Sequence, residues 1–205
     1  MIKTVFFDFG RTLVEHPEDG AGEAVVRRFG ITDGEDVKLV RDALFSLKGA
    51  MKSLDDASIS REEYSAQVLA SVPKRLWEAT EKAMEYPIEW LPDIEGMEKL
   101  LCDLKKDGYK LYIASNMDLL HASQMRSHRL AHYFDGMVFS SEIRVGKPLR
   151  AYYEKLVSIC EAIPEESVFV DDLEANVTAA EEIGMQGFVF KGDAEALRSF
   201  IYGRV

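Results

Sequence analysis

Three aspartates, a serine and a lysine hold the chemical interest of this 205-residue chain. Asp8 follows the apolar run Val5-Phe6-Phe7, and Asp171-Asp172 follows Val168-Phe-Val170. Ser115-Asn116 closes the run Lys110-Leu-Tyr-Ile-Ala, and Lys147-Pro148 lies in the loop after Met137-Val-Phe-Ser140. Clustered carboxylates repel one another unless a cation sits among them. A hard set of oxygen ligands that leaves room for water and a phosphate suits Mg2+. A carboxylate nucleophile such as Asp8 takes up a phosphoryl group as an acyl phosphate, splitting one difficult step into two easier ones. Ser115 then donates a hydrogen bond to the transferring group, and Lys147 sets a point charge against phosphate and nucleophile.

These residues gain meaning from the elements that carry them. The four apolar runs named above, together with Gly187-Phe-Val-Phe190, read as strands covered on both faces. Helical patterns lie between them, over Ile94 to Lys106, Asp118 to His132, Ala151 to Cys160 and Glu174 to Ile183. Strands alternating with helices predict an α/β fold with a doubly wound, Rossmann-like parallel sheet. In such sheets ligands meet the carboxyl ends of the strands, where the aspartates, Ser115 and Lys147 all fall. Residues 15–90 break the alternation. Ala21 to Phe29, Glu35 to Lys48, Arg61 to Ser71 and Pro73 to Glu85 read as helices with no strand between them. The expected organisation is a core of residues 1–14 and 91–205, with a small all-helical cap at 15–90 inserted after the first strand.

The hydrophobic content of 47% is enough for a sizeable core, and the net charge of -11 excludes a basic nucleic-acid surface. No apolar run reaches the roughly 20 residues needed to span a bilayer. The apolar stretch near the N-terminus is too short for a signal peptide. Cys102 and Cys160 are widely separated and belong to no metal-binding spacing, so a reduced, cytoplasmic compartment is expected. His128 and His132 have the i, i+4 spacing of zinc ligands, but a plain helix face explains them with fewer assumptions. Trp77 and Trp90 are expected to pack between insert and core.

The segments Val5-Phe-Phe-Asp8-Phe-Gly10-Arg11-Thr-Leu13, Ile113-Ala-Ser115-Asn116, Lys147-Pro148 and Val170-Asp171-Asp172-Leu-Glu-Ala-Asn176 resemble the motifs of the haloacid dehalogenase-like superfamily. The likeness runs from residue 5 to about 190. Within the superfamily the chain is similar to sugar-phosphate phosphatases and to the phosphatase domain of soluble epoxide hydrolase. The resemblance implies that Asp8 is nucleophile and metal ligand and that Gly10 offers a backbone carbonyl to Mg2+. It further implies that Asp172 is the main acidic ligand with Asp171 beside it, and that Asn176 orients their loop. Ser115, Asn116, Lys147 and Arg11 are the expected contacts to substrate. The helical insert matches the first cap class, which closes over the site and selects the leaving group. The implied partner is a small phosphorylated metabolite, handled by a monomer or homodimer without nucleic acid or membrane.

One position departs from the superfamily pattern. Gly10 stands where most of its phosphatases place a second aspartate, which protonates the leaving oxygen. Arg11, Glu15 and His16 are the nearby candidates to assist, and Gly10→Asp is expected to raise the rate if the side chain fits. Three other readings remain: a 2-haloacid dehalogenase, a phosphomutase, and a low-turnover binding or regulatory protein of the same fold. Asp171-Asp172 stands against the dehalogenase, because these carboxylates near Asp8 call for a cation.

Overall fold

The computed structural model describes residues 1–45 and 50–203. Among them, five parallel strands form one sheet: β1 (Thr4–Phe7), β2 (Lys110–Ser115), β3 (Gly136–Phe139), β4 (Ser167–Asp171) and β5 (Gln186–Val189). The strand order is β3-β2-β1-β4-β5, so the order reverses at β1. That switch point is where an open sheet of this kind leaves a crevice.

Alternate residues of each strand face opposite layers. Val5, Phe7, Ile113 and Val170 enter one core, while Phe6, Ala114 and Phe169 enter the other. Because both faces are covered, the strands read as unbroken apolar runs. The register fixes the site: Phe7 pairs with Ile113 and with Val170. The amide of Asp8 then donates to the Val170 carbonyl at 2.9 Å. Asp8, Ser115 and Asp171 consequently leave neighbouring strands at nearly the same height.

Between β1 and β2 the described chain forms no strand, and its α-helices are α1 (Ala21–Arg28), α2 (Gly34–Phe45), α3 (Ala50–Asp55), α4 (Arg61–Ala70), α5 (Trp77–Ala83) and α6 (Met97–Lys106). A capping box starts α4, with Ser60 accepting from the Glu63 amide and the Glu63 side chain accepting from the Ser60 amide. Met97, Leu100, Leu101 and Leu104 of α6 are buried at helical spacing against the sheet. The chain leaves and re-enters the sheet layer side by side: Glu15 N–H donates to the Pro92 carbonyl at 2.8 Å, and Ile94 N–H to the Leu13 carbonyl at 3.0 Å. Later come α7 (Leu119–Met125), α8 (Ser140–Ile143), α9 (Arg150–Cys160), α10 (Glu174–Glu181) and α11 (Ala194–Tyr202).

Several elements differ from the sequence reading. The helix expected over 118–132 stops at Met125, and a separate 3-10 turn covers Ala131–Tyr133. His128 and His132 therefore never share a helix face. His128 is buried edge-on against Phe9, and its Nδ1 accepts from the Leu130 amide. The stretch from Pro73 splits into a 3-10 turn and α5. Helices α3, α8 and α11 were not foreseen, and the expected helix end at Lys48 lies outside the described residues. Trp90 packs on Phe29 and under Arg28 of the helical insert and against the core cluster shared with the sheet layer. No helix among the described residues is long and apolar enough to cross a membrane.

Candidate active site

Lys147 is the organising charge of the site. Its side chain is 2% exposed, and its Nζ lies 2.9 Å from Asp8 Oδ1 and 2.6 Å from Asp171 Oδ2. Burial opposes the ammonium, but the two carboxylates outweigh it and hold Lys147 above the usual lysine range. Ser115 donates to the same Asp8 oxygen at 2.7 Å. Both donors meet Oδ1, so Oδ2 is the Asp8 oxygen without a donor from the described residues.

Asp171 is saturated by the protein. Its Oδ1 accepts from the Leu173 amide and Asn176 at 2.9 Å each, and its Oδ2 accepts from Lys147 and again from Asn176. Burial nonetheless lifts it above the ordinary carboxylate range. Asp172 is different, since its nearest cation, Arg11, lies 3.8 Å away. Burial first, then the charges of Asp8 and Asp171, push Asp172 up to about 6. Asp8, Asp171 and Asp172 present oxygens within 4.8 Å of one another. A trio this close, with Asp171 and Asp172 both displaced toward their protonated forms, fits a divalent cation with oxygen ligands.

Asn116 braces the lysine loop rather than facing it idly. Its Nδ2 donates to the Lys147 carbonyl at 3.0 Å and its Oδ1 accepts the Lys147 amide at 2.8 Å. A Cβ on Gly146 would lie 2.9 Å from that Oδ1, so glycine is needed for this approach. Arg11 takes a left-handed backbone, φ 54°, at a cost of order 1 kcal/mol or more for a non-glycine residue. Its guanidinium is engaged by Asp19 and by Glu18 at 3.1 Å, with Asp172 beyond.

The missing side chain at position 10 has a replacement in space. A Cβ on Gly10 would stand 2.9 Å from His16 Cδ2, so the imidazole fills the volume that a second aspartate would use. His16 Nδ1 accepts from the Glu18 amide at 3.2 Å. Burial, then the nearby Arg11, lowers the His16 pKa below the usual histidine range.

A cavity of about 300 Å³ lies over Asp8, Ser115, Lys147 and Asp172. It is also lined by Met51, Asp55, Tyr86 and Ile88 of the helical insert and by Leu91, Met117, Asp118 and His121 beyond it. A more open cavity of about 450 Å³ adjoins it at Arg11, Glu15, His16 and Asp172. The insert is tied down around this space. Arg61 contacts Asp118 Oδ1 at 3.2 Å and the Met84 carbonyl at 2.8 Å, and Gln124 accepts from the Ile88 amide at 2.9 Å. Sequence reasoning missed Asp55, Asp118 and His121 as cavity residues. The i, i+3 spacing of Asp118 and His121 at a helix start was the one available signal.

The sequence model of the haloacid dehalogenase-like hydrolase family matches residues 2–184. A D-ribitol-5-phosphate phosphatase from Bacteroides thetaiotaomicron is 26% identical over 92% of this chain and 91% of its own length. A HAD family enzyme from the same organism, solved with magnesium and inorganic phosphate, superposes with a TM-score of 0.69 at 20% identity, covering 96% of this chain and 99% of that one. L-2-haloacid dehalogenase from Xanthobacter autotrophicus superposes with a TM-score of 0.68 at 17% identity, over all of this chain and 84% of its own. With a matching model over most of its length and a parallel sheet that presents Asp8 at its switch point, the chain belongs to the haloacid dehalogenase-like hydrolase family.

Proposed function

We propose that this protein is a magnesium-dependent phosphatase of small phosphate monoesters, sugar phosphates among them, acting through Asp8. The observation that carries the reading is the pairing of a buried Lys147 with Asp8 and Asp171 while the Asp172 carboxylate stands close by, 3.8 Å from Arg11 and hydrogen-bonded to no cation among the described residues. That arrangement suits an anion brought in by a metal and held by a lysine. Asp8, Asp172 and the Gly10 carbonyl would hold Mg2+, with Asp171 positioning Lys147. Bound there, the metal supplies charge neutralisation for a phosphate oxygen.

The chain's own residues divide the remaining work. Asp8 attacks phosphorus, forming the aspartyl O–P bond as the ester P–O bond breaks, and the departing alkoxide takes a proton from water to leave as the alcohol. Water then cleaves the acyl phosphate, releasing inorganic phosphate and restoring Asp8. Ser115 and Lys147 hold Asp8 Oδ1 and hydrogen-bond the transferring group. The cavity, at the lower end of the range for small-molecule sites, admits a compact leaving group. The sequence similarity to a D-ribitol-5-phosphate phosphatase supports the same class.

The dehalogenase alternative shares the fold, but three neighbouring carboxylates are costly without a cation. Turnover of a phosphomonoester panel and of haloacetate, with and without chelator, separates the two. Phosphatase activity abolished by chelator supports the proposal, and metal-independent haloacetate turnover would replace it.

A further inference from the structure

Two polar groups lie among the apolar residues that line the cavity. The first is Asp55, the last residue of α3. Met51 lies four residues before it, so one face of this short helix places both on the cavity. Its backbone is fixed by Ser140, whose hydroxyl donates to the Asp55 carbonyl and accepts from the Met117 amide. Asp55 is thereby locked to the loop that follows Ser115.

The second group is His121. Its Nδ1 is paired with Asp118 Oδ2, and Asp118 is itself held by Arg61 and the Leu120 amide. The ring lies against Tyr86 with centroids 4.7 Å apart. His121 is 7% exposed, and its Nε2 is buried with no hydrogen-bond partner. A buried polar atom left unpaired is costly and is rare in folded proteins. On a ring that lines a binding cavity, the missing partner is naturally a ligand group.

We propose that Asp55 and His121 form the leaving-group subsite, binding the hydroxyls of a small polyhydroxylated alcohol whose phosphate sits at Asp8. The inference rests on the phosphatase reading and names the chemistry that reading leaves open. The wall around the pair, Met51, Tyr86, Ile88, Leu91 and Met117, takes the carbon chain. With Nδ1 engaged by Asp118, Nε2 is the ring nitrogen left to hydrogen-bond a hydroxyl. Burial and the neighbouring Asp118 hold the Asp55 carboxyl well above the ordinary range, which favours a carboxyl able to donate as well as accept. A leaving group without hydroxyls leaves both groups unpaired, and a site built this way discriminates strongly against it.

The test compares ribitol 5-phosphate with n-pentyl phosphate, which match in carbon number and differ in hydroxyls. The wild type is expected to prefer ribitol 5-phosphate in kcat/KM by about 10²-fold or more. Asp55→Leu and His121→Phe are each expected to cut that preference at least about tenfold. Asp55→Asn, which keeps shape and hydrogen bonding, is expected to retain most of it. Variants whose thermal melts show a folded protein, and whose preference stays within about threefold of wild type, overturn the subsite. So does a wild type that cleaves both esters equally, which leaves the phosphatase reading standing. A wild type that cleaves neither removes both.

Discussion

The His16 imidazole occupies the space above Gly10, with its Cδ2 2.9 Å from where a Gly10 Cβ would stand. Chain positions 10 and 16 are therefore coupled: a small residue at one admits a ring at the other. The gain expected of Gly10→Asp depends on the new side chain fitting, and the approach of the His16 ring opposes that fit. Gly10→Asp alone is expected to lower turnover, because the new carboxylate and the ring compete for one volume. The double variant Gly10→Asp, His16→Ala opens that volume and is expected to exceed Gly10→Asp alone on an alkyl phosphate. Steady-state kinetics on the three proteins decide it; a single Gly10→Asp faster than wild type contradicts the coupling.

Lys147 supports a test of electrostatics against stability. Its ammonium is the only hydrogen-bonding cation that the described residues give to Asp8 and Asp171. Lys147→Ala leaves buried negative charge uncompensated and is expected to destabilise the fold by ~3–5 kcal/mol. Urea melts measure this, and turnover is expected to vanish as well. Added magnesium is expected to recover part of the lost stability but none of the rate. Full stability in Lys147→Ala would show that the pair contributes nothing to holding the sheet edge together.

Asp172 links metal to pH. Its carboxyl is pushed up to about 6, above the ordinary aspartate value of about 4. The folded state thus binds this proton more tightly than the unfolded chain. The resulting stabilisation is complete below about pH 4 and is lost as pH rises through about 6. In chelator, Asp172→Asn is expected to gain thermal stability relative to wild type between pH 4 and 7.5. Magnesium is expected to raise the melting temperature of wild type at pH 7.5 far more than at pH 5, and to leave the variant nearly unchanged. Equal magnesium effects at both pH values, or in both proteins, would place the cation elsewhere.

The difference between what was and was not legible follows from how each residue is held. Asp8, Ser115 and Asp171-Asp172 sit at the ends of strands buried on both faces, and such strands show as continuous apolar runs. The sheet register then brings them together without further information. Lys147 was legible by motif, although nothing in its loop shows that it reaches both Asp8 and Asp171. Helix α3 was invisible because six residues with Leu54 as the one fully buried side chain give no helical period. That helix carries Asp55 to the cavity, so the leaving-group side of the site was hidden with it. For α7, Leu119 counted toward an apolar face yet is 61% exposed, and the pattern was read past the true end at Met125. Helix ends without a glycine or proline stop give the reader little to hold. The role of His16 depends on a close approach between side chain and backbone, which no periodicity encodes.

The covalent role of Asp8 is tested most directly by acid-quenching the enzyme during turnover of a 32P-labelled phosphomonoester with magnesium, then mapping the label. The account predicts an acid-stable, alkali-labile phosphate on the peptide containing Asp8, and neither label nor turnover in Asp8→Asn. Label on another residue, or turnover that persists in Asp8→Asn at the wild-type rate, would contradict it.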